Sequence, residues 1–298
     1  MHDRDLLQRF LFENLSIRGE LVHLNAAWQE MLRRHEYPDT IQDILGEMAA
    51  AAVLLSSTLK FKGSLIMQIQ GDGPLSMAVV ESTSDRTLRG LAQWQGDVSS
   101  PDLLDLVGKG TLAVTIDPEV GERYQGIVDL SCGDIGMALE DYMLRSQQLE
   151  TRLWLYTDET QSAGMLLQKM PGDNQPAKSN VINEDDDGWG RVTQLAATID
   201  QEELTELSFS NVIYRLFHEE DVRIFDAEPV SFRCTCTRDR VRGMLRMLGY
   251  DEVKSVLDEN AKVGVNCQFC NHYYEFDCVD VEALFATDIP SAGPDTKH

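Results

Sequence analysis

The sequence predicts an α+β fold in three parts: an N-terminal mixed-sheet domain over residues 1–172, a helical linker over 173–229, and a small C-terminal four-cysteine module over 230–298. Three observations carry that division. Period-two alternation and close turn signals dominate the first part, so hairpins outnumber strand–helix–strand units. Polar breakers, Pro171-Gly172-Asp173-Asn174-Gln175-Pro176, and an acidic block, Glu184-Asp185-Asp186-Asp187, then interrupt the pattern as an exposed loop. Beyond them, four of the six cysteines stand as two close pairs, Cys234-Thr235-Cys236 and Cys267-Gln268-Phe269-Cys270.

The elements follow in order. Leu45, Met48, Ala49, Ala52, Val53, Leu55 and Leu59 recur at helical spacing, which predicts a helix with one apolar face. Leu65, Met67 and Ile69 alternate with Ile66, Gln68 and Gln70, a strand that ends at Gly71-Asp72-Gly73-Pro74. A second strand runs from Leu75 to Val80. The Gly71-Asp72-Gly73 turn lacks both the GxxxxGK[ST] spacing and a following helix, so it reads as a β-turn and not a phosphate loop. Further strands are predicted at Leu112–Ile116, Tyr124–Leu130, Arg152–Tyr156 and Gly164–Lys169, and a helix at Asp134–Gln148. In the linker, Val192, Leu195 and Ile199, then Val212, Tyr214, Leu216 and Phe217, mark helices with apolar faces. So short a segment cannot bury those faces within itself, and they are expected to dock on the first domain. Between the cysteine pairs, Val241, Met244, Leu245 and Leu248, then Val253, Val256 and Leu257, predict helix. Tyr273, Tyr274 and Phe276 follow as a short aromatic strand, and 291–298 read as a frayed end.

Two short cysteine turns joined by a longer connection are the ligand pattern of tetrahedral zinc. The module has few large apolar side chains, so a metal held by Cys234, Cys236, Cys267 and Cys270 would supply its folding energy. Each pair can also close as a disulfide, and a disulfide sulfur is a poor zinc ligand. A Cys-x-x-Cys turn closes readily while Cys-x-Cys closes with more strain, so 267/270 is expected to oxidise before 234/236. Spacing alone leaves open whether zinc is a permanent staple or leaves on oxidation. Cys132 reads as a passive residue after a strand. Cys278 is placed to compete as a ligand or resolving thiol. His272 could substitute for a cysteine, although with four thiols present it reads as a surface imidazole.

Composition narrows the function. The chain carries a formal charge of −24 over 298 residues, which repels polyanions as a whole and argues against a nucleic-acid partner. The first twenty residues are charged throughout and hold no secretory core, and the longest apolar run, Met48 to Leu55, is too short to span a bilayer. A soluble cytoplasmic protein without membrane partners is expected, in a compartment that keeps thiols reduced. No GxSxG elbow or HExxH motif occurs, and no enzyme is expected. A thiol–disulfide oxidoreductase using Cys267 and Cys270, and a constitutive zinc-stapled interaction module, stand as the alternatives to a redox switch.

Several blocks together carry a family resemblance: Phe12-Glu13-Asn14 with Arg18-Gly19-Glu20, Gln70-Gly71-Asp72-Gly73-Pro74, and Gly121-Glu122-Arg123-Tyr124-Gln125-Gly126. To these add Glu140-Asp141-Tyr142 with Arg145-Ser146, Phe217-His218-Glu219-Glu220, and the two cysteine pairs with Tyr274 and Phe276 behind them. Nearly the whole chain thus resembles the bacterial redox-regulated heat-shock holdase family (HslO); the acidic block and Cys132 and Cys278 fall outside its pattern. The resemblance implies an ATP-independent chaperone, inactive when reduced, with one Zn2+ per chain on Cys234, Cys236, Cys267 and Cys270. It implies that oxidation forms disulfides 234–236 and 267–270, releases zinc, and unfolds module and linker. The chain would then form a homodimer and hold unfolding client proteins under oxidative and heat stress.

Overall fold

Two antiparallel strands open the chain, β1 (Leu6–Phe12) and β2 (Ile17–Leu24), in a register that sets Phe10 opposite Gly19. The Phe10 ring lies over that glycine, and a Cβ at position 19 would sit 2.1 Å from it, so only glycine fits. The computed structural model describes residues 4–33, 35–59, 62–171 and 187–286. The acidic block at 184–186 and the tail at 291–298 lie outside the described residues. Next come helices α1 (Ala26–Leu32) and α2 (Asp39–Thr58), strands β3 (Gly63–Gln70), β4 (Leu75–Thr83) and β5 (Thr87–Trp94), and helix α3 (Leu103–Val107). Strands β6 (Thr111–Pro118) and β7 (Tyr124–Asp129), helix α4 (Ile135–Gln147), and strands β8 (Thr151–Thr157) and β9 (Ser162–Lys169) follow. Helices α5 (Gly188–Ala196), α6 (Gln201–Glu206) and α7 (Phe209–Phe217) lead to β10 (Val222–Ile224), β11 (Glu228–Pro229) and β12 (Ser231–Phe232). These elements belong to the first of two compact units, Met1–Arg233 and Cys234–His298.

The described strands of the larger unit make two six-stranded sheets. One runs β10-β1-β2-β9-β8, with β11 also on β1, and the other runs β12-β5-β4-β3-β6-β7. All described pairings are antiparallel except β12 on β5. The predicted hairpin is there: Gln70 pairs with Met77, and Gly71 and Gly73 pass so close to the end of α3 that added Cβ atoms would meet the Val107 and Leu106 carbonyl oxygens.

Helix α2 differs from its expected one-faced pattern. Ala50, Ala51 and Leu54 are buried along with Leu45, Met48, Ala49, Ala52 and Val53, because α2 packs against strands of both sheets. Its run of alanines is what lets backbone approach from more than one side. At Gly46 a Cβ would lie 2.2 Å from the Thr157 methyl.

The first sheet is covered on both faces. Leu7, Val22 and Leu24 turn toward α2, while Phe10, Phe12, Ile17, Leu21, Met165 and Leu167 meet helices α5–α7. Val192, Ala196, Phe209, Val212, Ile213, Leu216 and Phe217 supply the helical side of that second cluster. The expected docking of these helices therefore holds, with one correction. Tyr214 is exposed, because the buried stripe of α7 runs through 212, 213, 216 and 217, the i, i+1, i+4, i+5 face of a helix.

Glu47 on α2 opens onto a pocket shared with Asp43 and Asp134, and burial, reinforced by those two carboxylates, pushes its carboxyl up to about 8. The folded protein holds that proton while the unfolded chain releases it near 4.5, so stability falls as pH rises from about 4.5 to 8. Glu47→Gln is accordingly expected to raise Tm by several degrees at pH 8 and to change it little below pH 5. Melting curves of both proteins across that range check this; a constant difference at every pH would rule out Glu47 titration as the cause.

The smaller unit holds α8 (Arg238–Leu248), α9 (Tyr250–Asn260), the hairpin β13 (Val263–Asn266) and β14 (Tyr273–Phe276), and α10 (Cys278–Ala286). The helices expected between the cysteine pairs and the aromatic strand are present. Helix α10 was not expected. Among the described residues the core of this unit is eight buried side chains: Val241, Leu245, Val253, Leu257, Val263, Phe276, Val281 and Leu284.

Candidate metal centre

The two cysteine pairs reach one point from different elements. Cys234 and Cys236 lie in irregular chain just before α8, whose start is fixed by Thr237, its hydroxyl accepting from the Arg240 N–H at 3.2 Å. Cys267 and Cys270 lie in the turn between β13 and β14. There the Cys267 N–H donates to the His272 carbonyl at 2.9 Å and the Asn271 N–H donates back to the Cys267 carbonyl at 2.7 Å. Asn271 takes the left-handed conformation, φ 52°, that turns the chain around the pair and suits asparagine.

All four Sγ atoms lie within 4.8 Å of one another. Cys234 and Cys267 are 3.6 Å apart, and Cys236 and Cys270 are 3.3 Å apart. A tetrahedral ion with Zn–S bonds of about 2.3 Å sets its sulfurs roughly 3.8 Å apart, so the donor set fits such an ion with small adjustments. The electrostatics of the bare thiols point the same way. Burial pushes the Cys234 and Cys270 thiols up, Cys270 well up, because a thiolate taken out of water loses its solvation. Burial works against the Cys236 thiolate too, yet the Tyr274 hydroxyl and the neighbouring thiols bring that thiol below its ordinary range. As thiolates, the four sulfurs could hold a metal ion between them.

Tyr274, known from the sequence only as an aromatic behind the second pair, also reaches the cluster. Its hydroxyl donates to Cys236 Sγ at 3.2 Å, and this bond holds the phenol proton up to about 12. The signal was available: on a strand beginning at Tyr273, residues 274 and 276 face the side opposite to 273, and Phe276 is core. Of the other candidates, none joins the cluster. Cys278 is exposed at the first position of α10, and exposed Cys132 directs its thiol to the Asp134 carbonyl at 3.3 Å. The His272 ring stacks edge-on against Tyr274, with centroids 4.6 Å apart.

Comparison with known proteins places this architecture. The sequence model of the family described as Hsp33 protein matches residues 5–277. The chain belongs to the Hsp33 family. The protein named 33 kDa chaperonin of Nitrosococcus oceani is 47% identical over 298 residues and spans 100% of both chains. That of Methylobacillus flagellatus is 46% identical over 300 residues, again across 100% of each. The crystal structure of the 33 kDa chaperonin (HSP33) of Thermotoga maritima matches this Hsp33 family member with a TM-score of 0.81. It covers 95% of this chain and 99% of its own at 20% identity, a likeness of fold. Among the described residues no helix is long and apolar enough to cross a membrane.

Proposed function

We propose that the protein is a redox-regulated, ATP-independent holdase: inactive when reduced and metal-bound, and able to bind unfolding client proteins once its cysteines are oxidised. What supports the reading is four cysteine sulfurs converging in a unit with an eight-residue core, inside a chain related over its full length to proteins named 33 kDa chaperonins. A zinc ion on Cys234, Cys236, Cys267 and Cys270 would keep the four sulfurs as thiolates and supply roughly 10–16 kcal/mol of folding energy.

The residues then act as follows. Each pair gives up two electrons to an oxidant such as peroxide, which is reduced to water, and the two sulfurs join as disulfides 234–236 and 267–270. A sulfur in a disulfide no longer offers a thiolate, so pairing dismantles the ligand set. Tyr274 loses its acceptor at Cys236 in the same step. The module at 230–298 then lacks the energy to stay folded, the linker at 173–229 loosens, and its apolar faces become available to clients. The domain at 1–172 remains folded and pairs with a second copy to form the active homodimer. The setting is the cytoplasm under heat and oxidative stress, with neither nucleic acid nor membrane as partner and no enzymatic turnover.

Light scattering of a thermally unfolding client tests this. Zinc-loaded reduced protein is expected to leave aggregation unchanged, and peroxide-treated protein at mildly raised temperature to suppress it. Equal behaviour of the two would leave a plain structural staple. Mass mapping of the oxidised protein must return 234–236 and 267–270; the crossed pairing 234–267 with 236–270 would overturn the mechanism.

A further inference from the structure

We propose that the larger unit carries a second site, a pocket at the C-terminal end of α2 that binds a small oxyanion bearing two or more phosphate groups. The pocket has a volume of about 460 Å³, within the ~300–1,000 Å³ range of small-ligand sites. Four cationic side chains line it: Arg9 from β1, Arg18 from β2, Lys62 just before β3, and Arg86 from the β4–β5 turn.

Their charges are only partly matched locally: Glu20 attracts Arg18, Arg86 and Arg9. Arg9 and Arg86 share one carboxylate, Glu228, at 2.6 and 2.9 Å. Glu20, only 2% exposed, takes a hydrogen bond from the Ser57 hydroxyl. Arg18 is half-buried, and its guanidinium donates to Gln168 Oε1, a neutral acceptor, with Nε 3.1 Å away. Arg18 and Lys62 form no ion pair among the described residues. The Nε of Arg86 is buried and has no acceptor. Four cations thus face two carboxylates in a chain whose net charge is −24. Buried donors and half-buried charges are costly when unmatched, and an incoming anion supplies what they lack.

Besides the two carboxylates, the C-terminal end of α2 opposes an anion, and it is partly capped. The Thr58 hydroxyl donates to the Leu55 carbonyl and the Leu59 N–H to the Ser56 carbonyl, so two of the four carbonyls that end α2 are already satisfied. The acidity of the rest of the chain is screened within about 8 Å at physiological salt, so the local charge governs binding. Arginines on three separate elements suit a ligand with several phosphate oxygens spread in space, each guanidinium able to take two. The Arg18-Gly19-Glu20 block, part of the family likeness, thereby gains a role that the cysteine chemistry does not use. This inference does not depend on the redox reading.

Isothermal titration of reduced full-length protein with inorganic pyrophosphate, tripolyphosphate and orthophosphate tests it. One saturable site is expected, with both oligophosphates at least about tenfold tighter than orthophosphate, and with pyrophosphate raising Tm. Lys62→Ala, at an exposed position, and Arg18→Gln should each weaken pyrophosphate about tenfold, the size expected for loss of a charged hydrogen bond. Arg123→Ala, which breaks an exposed pair with Asp117, should change nothing. Absence of saturable binding, equal affinity for orthophosphate and pyrophosphate, or indifference to both pocket substitutions overturns the proposal.

Discussion

Replacing Cys270 with serine is expected to abolish the cooperative melting of the C-terminal unit and to leave that of the larger unit in place. Cys270 is the buried member of the cluster, 5% exposed, and its sulfur lies 3.3 Å from Cys236. A serine hydroxyl stays protonated and is a poor ligand for a soft-donor site, so the set falls to three thiolates. The eight apolar side chains of this unit cannot compensate, since cores of that size rarely contribute more than about 3–5 kcal/mol. Calorimetry together with a zinc assay on purified protein measures both consequences. If the variant melts like wild type and retains one zinc per chain, Cys270 is not a ligand. A chelator applied to wild type should reproduce the variant's melting behaviour, and added zinc should reverse it only in wild type.

The second large effect lies at Phe217. Its ring packs edge-on against Phe12 at 5.1 Å and also meets Phe10 at 6.0 Å, closing the seam between α7 and the first sheet. Phe217→Ala removes about 3–5 kcal/mol from that seam. Salt bridges Arg191–Glu220 and Arg215–Glu203 remain, but part-exposed pairs like these contribute at most about 1 kcal/mol each. The segment 188–217 should therefore open in the reduced protein, with hydrogen exchange there accelerated by two orders of magnitude or more. On the proposed mechanism the reduced variant then suppresses client aggregation without any oxidant. Loosened helices with no gain of chaperone activity would place the client surface elsewhere.

Some of this was readable in the chain and some was not, for physical reasons. The hairpin of β3 and β4 was plain, because Leu65, Met67 and Ile69 face a core while Gln68 and Gln70 do not. Strands β1 and β2 were missed since both faces of their sheet are covered, and a strand buried on both sides loses its alternation. The same cause hid the all-round burial of α2, where alanines contribute little to a one-sided pattern. Helix α10 escaped notice because its apolar residues do not gather into one stripe, Val279 being exposed while Val281 and Leu284 are buried, and because it follows directly on a strand. The four cysteines were legible from spacing, which local turn geometry enforces. The hydrogen bond from Tyr274 to Cys236 was not, because it joins residues 38 positions apart.

The pairing of β2 with β9 also has a meaning for how the chain is made. Arg18 and Gln168, neighbours across that ladder, are 150 residues apart in sequence. At about 5–20 residues per second, a nascent β1–β2 hairpin leaves the ribosome roughly 8–30 s before its neighbouring strand exists. Phe10, Phe12 and Leu21 stay uncovered for that interval, and the sheet can close only after a long-range contact forms. During its own synthesis the protein passes through the kind of exposed, aggregation-prone state that it is proposed to hold in others.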